Sequence, residues 1–147
     1  MINSRNLNDL DPKARVVCEK HIAFCAAHNI EIIVTSTYRD YESQEALYAI
    51  GRTTDLKRSK VTNARAGHSW HNFRCAWDVV PVVNGKPVWD AKDPIWKQVI
   101  MYGKEAGAEA GAEWKSFPDL PHFQVVPEHM PLEVARIQFD KTGSIFT

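Results

Sequence analysis

The feature that most limits the folds open to this chain is an aspartate set inside an apolar, β-branched run. Residues 75–83 read Cys-Ala-Trp-Asp-Val-Val-Pro-Val-Val. Asn84-Gly85 comes next, a strong two-residue hairpin turn, and Lys86 to Trp89 reads as the return strand. The run itself has the composition of a strand. A carboxylate buried there is costly unless an opposite charge or a cation offsets it. Asp78 therefore predicts a partner brought in from elsewhere in the chain.

The flanking segments alternate between helical and extended patterns. Asp11-Pro12 marks a helix start, with Asp11 as N-cap and proline at the first helical position. Ala14, Val17, Cys18, His21, Ile22 and Cys25 then recur at helical spacing until His28-Asn29. Ile30–Thr37 is short and β-branched and predicts a strand. A second helix is expected over Tyr41–Ile50, ended by Gly51. Residues 52–66 lack periodicity and read as a loop over the site. Asp93-Pro94 opens a third helix running to Ala106, and Gly107 and Gly111 punctuate the segment after it. Phe123–Val126 reads as a strand, and Pro131 opens a last helix through Phe139. Separated helices with hairpin-linked strands indicate an α+β fold, a small antiparallel sheet flanked by helices. A length of 147 residues fits one domain, 1–147, with no separate wall-binding domain.

Composition excludes several functions. Lysine plus arginine equals aspartate plus glutamate at 18 each, unlike a strongly basic nucleic-acid binder. The local basic group Lys57, Arg58, Lys60 and Arg65 reads as a solvated loop. Three cysteines without framework spacing argue against a disulfide scaffold, and Cys18 and Cys25, seven apart, can pack on one helix face. The N-terminus has no apolar signal core, and no stretch approaches about 18 consecutive apolar residues. Synthesis in the cytoplasm and no stable membrane association are the expectations.

Three of the six histidines are His68, His71 and His122, and the last two stand near carboxylates. Asp78 comes seven residues after His71, and Asp119 three residues before His122. Two histidines and one carboxylate form a catalytic zinc set that leaves a fourth position for water. A further carboxylate, Asp119, would then be the general base. Seven is an odd offset, so a flat strand would put His71 and Asp78 on opposite faces; a turn or bulge must bring them together. His68 as a fourth ligand would close the site and suppress catalysis. Trp77, Trp89 and Trp96 are expected in the core, and Trp70 and Trp114 at the cleft rim.

The run Ser69-Trp70-His71-Asn72-Phe73-Arg74-Cys75-Ala76-Trp77-Asp78 resembles the S-x-H-x-x-G-x-A-x-D signature of the VanY/D-alanyl-D-alanine carboxypeptidase branch of zinc peptidases. Asp119-Leu120-Pro121-His122 is similar to that branch's second motif, a carboxylate shortly before a histidine. Ser36-Thr37-Tyr38-Arg39 with Gln44 is similar to the upstream segment whose arginine sits in the substrate site. The three segments come in the family's order across roughly residues 30–125. The resemblance implies a hedgehog/DD-peptidase fold, Zn2+ on His71, Asp78 and His122, Asp119 as general base, Arg39 binding or polarising substrate, and Ser69 bonding substrate or orienting the metal shell. Cys75 falls at a variable position of the signature and is expected to point away from the metal.

The short chain and the run Trp114-Lys115-Ser116-Phe117 before Asp119 resemble phage endolysins of the L-alanyl-D-glutamate peptidase type. That implies a monomer acting on the peptidoglycan stem peptide of the periplasmic wall once the host membrane is permeabilised. A D,D-carboxypeptidase or D-Ala-D-Ala dipeptidase shares the chemistry, and a non-catalytic zinc module shares the fold. One departure stands out: Arg74 occupies the family's glycine position. Arginine fits there with a negative φ, or reaches into the substrate groove, or stands on a tolerant surface turn.

Overall fold

The computed structural model describes residues 1–146. Helix α1 (Pro12–Ala27) starts where Asp11 accepts a hydrogen bond from the Lys13 amide. It buries Ala14, Cys18, His21 and Cys25, one stripe at steps of four and three residues. Strand β1 (Glu31–Ser36) leads to α2 (Tyr41–Ala49), capped by the Asp40 side chain on the Ser43 amide. Strand β2 (Ala76–Val83) turns at Asn84 (φ 53°) and Gly85 (φ 76°), both left-handed as a type I′ hairpin requires, into β3 (Lys86–Pro87). Helix α3 (Ile95–Ala106), β4 (Glu109–Ala110), β5 (His122–Gln124) and α4 (Leu132–Thr142) complete the chain.

All strand pairs are antiparallel, in the order β1-β2-β5-β4, with β3 also on β2. Strand alternation sorts the side chains of β2. Trp77 and Val79 enter the main core with Phe123 of β5, Cys18 and Cys25 of α1, and Trp96 and Val99 of α3. Asp78 faces the other way. A second cluster, Phe73, Cys75, Ala135 and Ile145, fastens α4 beneath the turn that precedes β2.

The expected α+β architecture is present, with differences in detail. The return strand stops at Pro87 rather than Trp89, so Trp89 lies beyond the sheet and is 56% exposed, not in the core. Trp77 and Trp96 are buried as anticipated. The late strand begins at His122 and ends at Gln124, and α4 runs to Thr142, past Phe139. Strand β4 and a 3-10 turn at Gly111–Glu113 carry no periodic signal and were not anticipated. All three cysteines are buried thiols.

Candidate metal and active site

Sheet register builds half of the site. Asp78 on β2 and His122 on β5 are direct partners, so both side chains leave the same face. His71 arrives by the turn that the odd spacing demanded. Residues Trp70–Phe73 form a 3-10 helix, and Arg74 (φ 58°, ψ 30°) reverses the chain into β2. Ser69 caps this helix: its hydroxyl oxygen accepts from the His71 amide at 3.3 Å. Buried Asn72 ties the turn together, its Oδ1 accepting from the Gly67 and Ser69 amides while Nδ2 donates to the Arg39 carbonyl.

His71, Asp78 and His122 converge. Asp78 Oδ1 lies 3.1 Å from His71 Nε2 and 3.4 Å from His122 Nδ1, and one ligand atom from each residue falls within 4.8 Å of the others. Ligands about 2.05 Å from a tetrahedral ion stand roughly 3.3 Å apart, and the two separations from Asp78 match that spacing. The outer nitrogens are occupied as such a site needs. His71 Nδ1–H donates to the Thr37 carbonyl at 2.8 Å, and His122 Nε2–H to Gln124 Oε1 at 2.7 Å. Burial opposes charge on Asp78, but the charge of His71 and the close contacts with both imidazoles hold it well below the usual carboxylate range. Burial likewise opposes charge on His122, and the bond and charge of Asp78 raise it above the ordinary imidazole value.

Asp119 is half-exposed, with Oδ2 4.0 Å from His122 Nδ1. Burial pushes its carboxyl up, His122 pulls it back, and the charge of Asp78 pushes it further up. The 3-10 turn beginning at Gly111 sets its position. A β-carbon at residue 111 would sit 2.6 Å from the Asp119 carbonyl oxygen and 3.0 Å from His122 Cβ, so only glycine fits.

Arg39 completes the group. Its Nη1 donates to Gln44 Oε1 at 2.8 Å and Nη2 to Ser36 Oγ at 3.2 Å; Nε is buried and finds no partner among the described residues. Burial lowers its pKa, and the charges of Asp78 and Asp119 counter that. Its backbone is held from both sides. Arg39 N donates to the His71 carbonyl, and the N-terminal segment pairs alongside through Ser4 N to Tyr38 O and Thr37 N to Ser4 O. A cleft of about 970 Å³ opens over the cluster, lined by Arg39, Ser69, Asp119 and the two rim tryptophans Trp70 and Trp114. Residues 61–64 of the long loop form its far edge.

His68 lines the cleft but lies outside the three-residue cluster. Cys75 is fully buried, its thiol donates to the Trp70 carbonyl, and burial pushes it far up, so it is no nucleophile. Arg74 corrects the expectations for the family's glycine position. Its φ is positive, not negative, and its guanidinium does not enter the cleft. It stacks 3.8 Å over the Tyr38 ring and donates to the Asp9 carbonyl, clamping the N-terminal segment. Asn72, Gln124 and Gly111 were not anticipated. Gln124 was within reach of the sequence, since it stands two residues from His122 on the same strand face.

The fold and this cluster define a metallopeptidase. A family model described as D-alanyl-D-alanine carboxypeptidase, of the peptidase M15 group, matches residues 62–125. The chain is 32% identical over 128 residues to the peptidoglycan L-alanyl-D-glutamate endopeptidase CwlK of Bacillus subtilis, covering 82% of this chain and 75% of that one. It belongs to the M15 peptidase family. It is also 27% identical to the L-alanyl-D-glutamate peptidase of Listeria phage A118, over 81% of this chain and 39% of the phage protein. Among solved structures, the Serratia marcescens L-Ala D-Glu endopeptidase ChiX superposes with a TM-score of 0.60 at 22% identity, covering 85% of this chain and 89% of that one. The vancomycin-resistance D,D-pentapeptidase VanY, solved with Zn(II), gives 0.63 at 13% identity over 98% and 86%. At these identities the two structures speak for the fold.

Proposed function

We propose that this chain is a zinc-dependent peptidoglycan endopeptidase that cuts the stem peptide between L-Ala and D-Glu, and that it serves host lysis by a bacteriophage. One observation carries the reading. Two imidazole nitrogens and a carboxylate converge within 4.8 Å of one another beneath a cleft, with a separate, half-exposed carboxylate beside them. A purely structural zinc site needs no such extra base. The names of the Bacillus and phage relatives support the bond, and the lytic setting rests on the phage source of the second of them.

In this reading His71 Nε2, Asp78 and His122 Nδ1 hold the ion. Zinc there supplies Lewis acidity: a water nucleophile usable near neutral pH and a polarised scissile carbonyl. Asp119 takes the proton of the attacking water and later delivers it to the leaving amine. Arg39 sets positive charge beside the developing oxyanion. Ser69, fixed as the cap of the His71 turn, has a hydroxyl proton to offer to substrate. The protein works as a monomer on the stem peptide. It is made in the host cytoplasm and reaches the periplasmic wall after the membrane is permeabilised.

The matched family model favours a second reading, release of terminal D-Ala by a D,D-carboxypeptidase. Mass spectrometry of digested peptidoglycan separates the two. New N-terminal D-Glu is expected, abolished by chelator and restored by zinc. Free D-Ala without new D-Glu ends would establish the second reading instead, and chelator-insensitive cleavage would remove the metal from both.

A further inference from the structure

Strand β4 is only two residues long, yet its register sets Glu109 opposite Gln124. Gln124 is buried between two partners. Its Oε1 accepts from His122 Nε2 at 2.7 Å, and its Nε2 donates to Glu109 Oε2 at 3.3 Å. The other Glu109 oxygen accepts from the Trp114 indole at 3.1 Å, and the Trp114 ring lies 5.0 Å from the His122 ring.

An amide and a neutral imidazole are both ambiguous partners. Each has a donor end and an acceptor end of nearly the same shape. Reversing both together gives an equally well bonded pair. In that reversed pair His122 carries its proton on Nδ1, directed at Asp78, and has no lone pair there for a metal. Asp78 Oδ1, 3.4 Å from Nδ1, favours that reversed form in the zinc-free protein. The Glu109 carboxylate opposes it at the far end of the hydrogen-bond chain, because it only accepts. The Gln124 atom facing Glu109 must be the NH2 group, so the oxygen faces His122 and the His122 proton sits on Nε2.

We propose that Glu109 is a positioning residue that, acting through Gln124, sets the tautomer of His122 and so presents its Nδ1 lone pair to the metal. This rests on the reading of His122 as a zinc ligand. Outer partners of this kind change metal affinity by about ten- to a hundredfold.

Glu109→Gln is the test, because it keeps size and shape while adding a donor. With the Trp114 indole still donating to its oxygen, the new amide donates to Gln124 and turns it around. Zinc affinity is measured by competition with a chelating dye. The His122 tautomer is read from long-range 1H–15N spectra of the zinc-free protein at alkaline pH, where imidazole is neutral. The wild type should show the Nε2–H form. Glu109→Gln should gain the Nδ1–H form and lose about ten- to a hundredfold in zinc affinity, and Glu109→Asp should recover most of both. Wild-type protein that binds no zinc would refute the metal-site reading. A zinc-binding wild type with Glu109→Gln unchanged in tautomer, and within twofold in affinity, would refute the role of Glu109 alone. So would an Nδ1–H form in the zinc-free wild type.

Discussion

Gly111→Ala is a one-carbon change with an outsized expected effect on the site. Nothing about residue 111 is chemically reactive, so its influence can come only through space. The added Cβ meets the Asp119 carbonyl oxygen at 2.6 Å, His122 Cβ at 3.0 Å and Asp119 Cβ at 3.3 Å. The first obstacle is backbone and cannot swing aside like a flexible side chain. The Asp119–His122 turn must recede by about 0.8 Å to regain ordinary contact. Such overpacking costs about 1–3 kcal/mol. For a chain of this size that is a melting-temperature loss of roughly 2–4 °C per kcal/mol. The functional loss should be larger, because both the base and one proposed ligand ride on the displaced turn. A misplacement near 1 Å can cost about a hundredfold in rate. Differential scanning fluorimetry, zinc competition and turnover of purified stem peptide are measured on the same preparation. A modest drop in melting temperature with weakened zinc binding and about a hundredfold loss of turnover is expected. Wild-type turnover and zinc affinity in Gly111→Ala would refute the packing argument.

Three other perturbations separate the roles of individual residues. Asp119→Ala should retain zinc, by elemental analysis, while hydrolysis falls about 10²–10⁴-fold; intact hydrolysis would exclude Asp119 as the base. Arg74→Ala loses the Tyr38 stacking and the Asp9 bond while keeping the cost of a left-handed residue with a side chain, so it should be about 1 kcal/mol less stable to urea than Arg74→Gly, and equal midpoints would contradict this. His21, bonded to Trp77 and the Val99 carbonyl, is pushed down to about 4 by burial, partly countered by that carbonyl. The folded chain thus binds this proton less readily than the unfolded one, so stability is lost as pH falls below 6.5 and the loss levels off near 4, on the order of 3 kcal/mol. His21→Gln can keep both bonds without titrating, and equilibrium unfolding at pH 7 and pH 4 should show a flatter acid slope.

The elements readable in advance were those with a periodic or capped pattern. Asp11-Pro12, the β-branched run before Tyr38 and the Asn84-Gly85 turn each act through local chemistry. The burden carried by Asp78 was also legible, because a carboxylate in an apolar strand requires a partner. The features without a local signal depend on long-range register. Strand β4 is too short for any periodicity, so the placement of Glu109 opposite Gln124 had no local signature. The role of Gly111 lies in how closely the Asp119 turn approaches it, a distance set by tertiary packing. Arg74 could be seen as a departure from glycine. Its stacking on Tyr38 arises because the N-terminal segment lies beside residues 37–40, which no pattern in residues 1–10 announces. Trp89 looked like core because it extends an apparent strand, but the ladder ends two residues earlier.

Anomalous scattering at the zinc edge, from crystals of the zinc-loaded protein, tests the proposed metal centre most directly. A single strong peak is expected about 2.0–2.2 Å from His71 Nε2, the Asp78 carboxylate and His122 Nδ1, with the fourth position free of protein ligands and Asp119 close by but uncoordinated. A peak elsewhere, or His68 closing the coordination sphere as a fourth protein ligand, would contradict the assignment.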